Sequence, residues 1–186
     1  TRTISSAASD VYKRQVYGTL TAKGIDGEGG QIETSGDVLN YNGIKVDTSS
    51  VSVSYRKWLL DPTNLSVGSS EASTYVSNLA STNVNVTADN TITVNSAISY
   101  GGGRSNGTLT FTSTSTVLNA NVGSSSNSLN VVFASAVKLG ADVTINTRGG
   151  DLTLNSTLDS NTSVAKGLTV SGSSGTATFS GNIGST

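Results

Sequence analysis

A three-residue unit, in which two apolar residues flank one Thr or Asn, recurs along the second half of this 186-residue chain. Successive copies begin 8, 17, 20, 14, 9, 16 and 9 residues apart, mostly near about 9 residues or twice that number. In a β-strand such a unit points its apolar side chains to one face and its polar side chain to the other. The recurrence therefore predicts stacked, half-buried strands. The copies are residues 84–86, 92–94, 109–111, 129–131, 143–145, 152–154, 168–170 and 177–179.

Two β architectures accommodate such strands, and the turn residues discriminate between them. A sandwich or barrel joins neighbouring strands by tight hairpins, for which Asn-Gly is the strongest short signal. That dipeptide occurs only at Asn42-Gly43 and Asn106-Gly107. A parallel β-helix instead stacks the same residue types on successive coils without hairpins. We therefore predict an all-β, right-handed parallel β-helix of about 20 residues per coil, with aliphatic ladders inside and Thr, Asn and Ser ladders outside.

Three segments of the chain differ in composition. Residues 1–15 resemble the translation of a sequencing adapter, so we expect a non-native or disordered tail there. Residues 16–83 contain 11 charged residues and several glycine turns, and they are predicted to form the N-terminal coils. Residues 84–186 contain only 8 charged residues in a longer stretch, and their triplets predict a repetitive shaft. The shaft stops in mid-pattern, so we expect a fragment truncated at its C-terminus.

One short helix is predicted near residues 70–80. Ser70 is the expected N-cap, and Glu71 suits the positive N-terminal end of the helix dipole. Val76, Leu79 and Ala80 are expected to share one face. An isolated helix of this length is marginal in water, so this one must dock on the β-structure.

The residue types that are absent limit the chemistry. The chain contains no Cys, no His and no Met. Thiolate metal sites, a disulfide framework and a Ser–His catalytic pair therefore cannot form. The formal net charge of −1 gives no reason to expect nucleic-acid binding, and no apolar run is long enough for a membrane span. We predict no enzymatic activity, no catalytic residue, no cofactor and no metal site.

Two groups of charged residues could contradict that prediction. Asp142, Arg148 and Asp151 are the only cluster of acids and a cation in the second half, as a polysaccharide lyase would require, but their spacing equally fits a bend between strands. Asp26 and Glu28 lie in a glycine-rich stretch that superficially suggests a calcium loop. A single imperfect copy of that motif is better explained as a turn with exposed carboxylates.

The only Trp and the only Pro of the chain lie together in the block Trp58-Leu59-Leu60-Asp61-Pro62. Proline fixes its own φ angle and restricts the preceding Asp61 to extended geometry, so a turn is expected there. Trp58 is the largest apolar side chain available and is expected to pack beneath that turn. A ligand-stacking role for Trp58 is the sharper alternative.

This block resembles the Trp-Leu-Leu-Asp-Pro hallmark of filamentous-hemagglutinin-like exoproteins, which are exported by two-partner secretion in Gram-negative bacteria. The stretches at 29–49 and 83–98 are similar to the family's flanking strands, and the resemblance extends over about residues 18–186. One departure is Tyr55-Arg56-Lys57, where the family usually has glycine and small residues. The resemblance marks Trp58 to Pro62 as structural hallmark residues and supplies no catalytic residues.

The resemblance implies a right-handed β-helix shaft of a secreted or surface-attached adhesin, with a role in cell adhesion and virulence. It also implies two kinds of partner for the full-length protein, an outer-membrane transporter and receptors or glycans on host or neighbouring cells. The alternatives are the stalk of a contact-dependent inhibition toxin and, from a different class, a β-helix polysaccharide lyase. A β-helix with bare strand edges is also expected to self-associate.

Overall fold

The computed structural model describes residues 3–6, 13–25, 27, 29–51 and 56–184 as a parallel β-solenoid with one short helix. Each coil comprises up to three strands separated by corners, and every strand pairs in parallel with a strand about one coil away. The predicted fold class is confirmed. The stretches of residues 1–15 that are described contain two of these strands, Thr3–Ser6 and Arg14–Gln15.

The elements follow one another coil by coil. Coils one to three contain β1 Thr3–Ser6, β2 Arg14–Gln15, β3 Thr19–Thr21, β4 Gln31–Ser35, β5 Leu39–Asn40, β6 Lys45–Asp47, β7 Lys57–Asp61, β8 Leu65–Val67 and α1 Ser69–Asn78. Coils four and five contain β9 Asn83–Thr87, β10 Thr91–Val94, β11 Ile98–Tyr100, β12 Gly107–Thr112, β13 Ser115–Leu118 and β14 Val122–Ser124. The remaining strands are β15 Leu129–Phe133, β16 Ala136–Leu139, β17 Val143–Asn146, β18 Leu152–Leu154, β19 Leu158–Ser160, β20 Leu168–Ser171 and β21 Ala177–Phe179.

Three faces run along the solenoid. The first face is one eight-stranded sheet in the order β1-β4-β7-β9-β12-β15-β18-β21. The second face consists of the pair β2-β5 and the sheet β8-β10-β13-β16-β19, and the third face consists of the pair β3-β6 and the sheet β11-β14-β17-β20. The change of composition at Val84 falls inside β9, in the middle of the continuous first face.

The coils are longer than the sequence repeat predicted. Paired residues on the first face are separated by 21 positions between Val131 and Leu152, and by 28 positions between Ile4 and Ile32. The predicted value of about 20 residues was therefore too small. The reason is that each coil adds corner residues of variable number to its three short strands, and the triplets mark the strands only.

Apolar ladders fill the interior, as the alternating triplets require. Two rows of inward side chains on the first face are almost completely inaccessible to solvent. Phe111 and Phe133 stack within one row, with ring centroids 5.3 Å apart. Burial of each such side chain stabilises the fold by roughly 1.5–3 kcal/mol. The rows are Ile32, Trp58, Val84, Leu109, Val131 and Leu152, and Leu60, Val86, Phe111, Phe133 and Leu154.

The helix begins earlier than predicted. Its N-cap is Gly68 rather than Ser70, because β8 ends at Val67 and leaves room for only one residue before α1. Glu71 acts as predicted at the N-terminal end, since its Oε2 accepts a hydrogen bond of 3.0 Å from the Gly68 backbone N–H. The expected apolar face was only partly right: Leu79 is buried, whereas Ala80 is exposed.

The C-terminal coil leaves its inward side chains uncovered. Val170 is 39% exposed and Ile183 is 61% exposed, and a cavity of about 460 Å³ opens beside them. We expect the chain to self-associate at micromolar concentrations through this end, because strand edges and apolar surface lie together. Val170→Lys should reduce the weight-average mass in sedimentation, whereas Val164→Lys, on an exposed loop, should not. A monodisperse wild-type monomer would contradict this expectation.

Candidate functional site

Trp58 lies in β7, the third strand of the first face, and is completely buried. Its indole Nε1 donates a hydrogen bond of 3.0 Å to the Thr34 hydroxyl on the preceding coil. That hydroxyl in turn donates to the Leu59 carbonyl oxygen at 3.4 Å. The apolar surface of Trp58 is therefore buried, and its one polar atom has a hydrogen-bond partner inside the protein. Trp58 is a core residue and has no ring face available for stacking on a ligand.

The rest of the block continues the strand. Leu60 and Pro62 are buried, and Leu59 is half-buried on the outward side of the sheet. Asp61 ends β7, and its carbonyl oxygen accepts a hydrogen bond from Gly36 N–H at 3.2 Å. Partial burial raises the pKa of the Asp61 carboxyl, and the neighbouring negative charge of Asp89 raises it further.

A buried tyrosine pair packs against Trp58. The rings of Tyr41 and Tyr75 stack with centroids 5.9 Å apart, and their hydroxyl groups are hydrogen-bonded at 2.5 Å. The Tyr41 ring meets the Trp58 ring edge to face at 5.8 Å. Burial raises the pKa of both phenols well above the ordinary tyrosine value of about 10. The proximity of the Tyr41 phenol raises the pKa of Tyr75 further.

This pair predicts an alkaline transition. A buried phenol with a raised pKa gives its full stabilisation below about pH 10 and loses it as the pH rises towards the folded-state pKa. We expect Tyr41 and Tyr75 to ionise only as the surrounding structure opens. Phenolate absorbance should then rise together with a red shift of Trp58 fluorescence. Tyr17→Phe, which removes a phenol that is 64% exposed, is the control and should leave the red shift of Trp58 fluorescence unchanged. Ionisation of all tyrosines before any change in fluorescence would contradict the prediction.

The three charged residues considered for a lyase site are used between coils. The Asp142 carboxylate accepts a hydrogen bond from Gly167 N–H at 2.8 Å, and the Asp151 carboxylate accepts one from Thr176 N–H at 2.9 Å. The Arg148 guanidinium donates to the Ser125 carbonyl oxygen at 2.6 and 3.0 Å. Each side chain thus ties its corner to the backbone of a neighbouring coil.

Polar side chains at the corners form similar ties. Asn119 donates from its amide to Asn95 Oδ1 at 2.7 Å, and Asn95 donates to the Ser66 hydroxyl at 3.0 Å. Asn95 and Asn119 follow the paired residues Val94 and Leu118 on coils four and five, and Ser66 lies in β8 on coil three. The Thr and Asn content that the sequence assigned to outward ladders therefore also supplies hydrogen bonds between coils.

One ion pair closes the corner after β3. Lys23 Nζ lies 2.8 Å from Asp47 Oδ2. Burial raises the pKa of Asp47, but hydrogen bonds from Lys23 and Ser49 outweigh this effect and leave the pKa below its ordinary value. Asp26 and Glu28, the carboxylates of the glycine-rich stretch, lie outside the described residues, as does Tyr55.

Asn78 is a buried polar residue that the sequence did not single out. This residue is 2% exposed, and its side-chain amide lies against the edge of β6. Its Oδ1 accepts from Val46 N–H at 2.6 Å, and its Nδ2 donates to the Ile44 carbonyl oxygen at 2.9 Å. The available signal was its helical spacing from Tyr75, which places a polar residue on the buried face of α1.

Two searches for other kinds of site concern the described residues only. No group of three or more Asp, Glu, His or Cys side chains in those ranges is placed to hold a metal ion. Within the same ranges, no helix has the length and apolar character needed to cross a membrane.

Comparison with known proteins gives no relative. The sequence matches no family profile, no curated protein and no solved structure.

Proposed function

We propose that this chain is a structural shaft segment of a secreted or surface-attached bacterial adhesin of the filamentous-hemagglutinin-like type, exported by two-partner secretion. The observation on which this rests is the parallel stacking of coils, because a solenoid is stiff along its axis and extends by repetition. Eight strands at about 4.8 Å spacing give the first face a length of about 34 Å.

The surface chemistry supports a shaft. The described outward rows of the first face consist mainly of neutral Thr and Asn side chains, with few charges. Many corner side chains bond neighbouring coils, as with Asp142, Arg148 and Asp151. Such groups stabilise the stack, and a surface of repeated weak hydrogen-bonding groups suits multivalent contacts with glycans or receptors.

The Trp58–Pro62 block supports the choice of family. Its similarity to the hallmark of hemagglutinin-like exoproteins coincides with a buried strand in the long sheet, a structural rather than a catalytic position. The absence of Cys also suits export across an outer membrane, because no disulfide can lock the chain before it emerges. Coils can then fold one after another outside the cell.

A secretion assay tests this proposal. The chain is fused behind the secretion domain of a hemagglutinin-like exoprotein and expressed with the matching outer-membrane transporter. We expect protease-accessible chain at the cell surface, with the far-ultraviolet spectrum of a β-protein after release. A globular domain of similar length with a disulfide, fused in the same way, is the control for blocked export. Retention of the solenoid chain in the periplasm would count against the proposal.

The lyase alternative predicts a different result. A lyase acting on a polyuronate would release unsaturated products that absorb in the ultraviolet, and Arg148→Ala would abolish the signal. We expect no such signal from the wild-type chain. Its appearance, together with its loss in the variant, would replace the shaft by an enzyme.

A further inference from the structure

The ladders of hydrogen bonds between coils are interrupted around α1. Between coils five and six, all three faces are paired, by β12-β15, β13-β16 and β14-β17. Between coils two and three, the described pairing is confined to the first face, through β4-β7. The second face resumes at β8 in a separate sheet from β5, and the third face resumes at β11 in a separate sheet from β6.

The helix occupies the third-face position of coil three. It packs against β6 on one side and β11 on the other, so it takes the place of a strand in the stack. A helix backbone satisfies its own hydrogen bonds and cannot continue a β-ladder. The backbone groups at the edge of β6 that face α1 must therefore find other partners.

Side chains of α1 and the turn after it supply those partners. Asn78 pairs with Val46 N–H and the Ile44 carbonyl through both ends of its amide. The Thr74 hydroxyl accepts from Gly43 N–H at 3.0 Å, and the Ser81 hydroxyl donates to the Val46 carbonyl at 2.7 Å. A row of side-chain hydrogen bonds thus replaces a strand, and the Asn78 amide is its buried centre.

We infer that coils one and two form a cap that opens as a unit from the rest of the solenoid, with the Asn78 amide as its latch. The cap comprises the described residues from 3 to 51, and the rod comprises residues 56–184. Coils in a solenoid contact only their neighbours, so cooperativity breaks first at the boundary with the weakest coupling. At this boundary the described strand pairing is one ladder, supplemented by side-chain bonds and by the Thr48 N–H to Ser81 carbonyl bond, whereas coils five and six share three ladders.

Opening of the cap has a defined structural consequence. It unpairs the edge of β7 and breaks the contact of Trp58 with Thr34 and Tyr41, while the apolar rows of coils four to seven remain covered. The exposed edge is a parallel β-strand of a sheet, and such an edge accepts an added strand. The only Trp of the chain lies at this boundary, so its fluorescence reports the opening directly.

Hydrogen exchange on the intact wild-type chain tests the cap. We expect backbone amides of β4 and β6 to exchange at least tenfold faster than those of β9, β12 and β15 under native conditions. In urea, the Trp58 emission should shift to the red at a lower concentration than the loss of the β circular-dichroism signal. Uniform protection along the chain, with coincident transitions by both probes, would overturn the inference.

A pair of variants tests the latch. Asn78→Ala should accelerate exchange in β4 and β6 by a further factor of ten or more and leave β12 and β15 within twofold of wild type. Ser124→Ala removes a buried hydroxyl that bonds the Tyr100 carbonyl at 2.8 Å inside the rod, and it should leave cap exchange unchanged. Equal acceleration of both regions by Asn78→Ala would show that the chain opens as one unit. If Asn78→Ala does not fold, the wild-type experiment still decides the inference.

Discussion

Replacement of Trp58 by Ala is expected to lower the free energy of unfolding by about 3–5 kcal/mol. The side chain is completely buried, and its removal leaves a large cavity in the apolar row between Ile32 and Val84. It also removes the hydrogen-bond donor to the buried Thr34 hydroxyl. A domain of this size has a total stability of about 5–15 kcal/mol, so a loss of this magnitude threatens folding at 37 °C. Urea unfolding followed by circular dichroism measures the change.

The matched control for this substitution lies in the same strand. Leu59→Ala removes a large apolar side chain that is half-buried on the outward face, and we expect it to cost less than about 1 kcal/mol. Trp58→Phe retains most of the apolar surface and should fall between the two. Equal urea midpoints for the unfolding of Trp58→Ala and Leu59→Ala would show that burial of Trp58 does not stabilise the first face.

A methyl group at Gly123 should disrupt the third face. A Cβ atom at this position would lie 2.2 Å from the carbonyl oxygen and 2.7 Å from the nitrogen of Asn146, both backbone atoms of the next coil. Because Gly123 pairs with Asn146 inside the β14-β17 ladder, neither backbone can move without breaking neighbouring hydrogen bonds. We expect Gly123→Ala to cost about 3 kcal/mol or more and to lower the melting temperature by about 6–12 °C.

Gly102→Ala is the control for that experiment. No heavy atom lies within 4 Å of a Cβ built at Gly102, so we expect a change in melting temperature within about 2 °C. Calorimetry on the two variants, at equal concentration to hold self-association constant, gives the comparison. Similar melting temperatures for Gly123→Ala and wild type would contradict this prediction. They would mean that the backbones of coils five and six can separate at Gly123 without loss of stability.

The local alternation of residues predicted the strands well, and the length of a coil poorly. Units such as Val84–Asn85–Val86 form strands whose apolar side chains are buried, because the two-residue period of a strand is a property of the backbone itself. The number of residues per coil depends on the corners, whose polar residues give no periodic signal. The same lack of local signal explains why the N-cap prediction was wrong. The helix begins directly after β8, so its N-cap is Gly68 and not Ser70.

The candidate site was also predicted only in part from the sequence. The uniqueness of Trp58 and its position before Pro62 indicated an anchor from the sequence. The partners of Trp58 did not follow, because Thr34, Tyr41 and Tyr75 are separated from it by 17 or more residues and meet it only through stacking of coils. For Asp142, Arg148 and Asp151 the sequence suggested one cluster, and the structure gives each a separate backbone partner.

The sequence by itself determined that this chain forms half-buried strands that stack in parallel with one short helix, because alternation, the scarcity of hairpin turns and helical spacing are all local properties of the chain. Only the tertiary structure decided where the stack is weakly coupled. That α1 replaces a strand, and that the Asn78 amide serves the edge of β6, depend on which coil lies beside which. Those relations arise from contacts between residues more than 30 positions apart in the sequence.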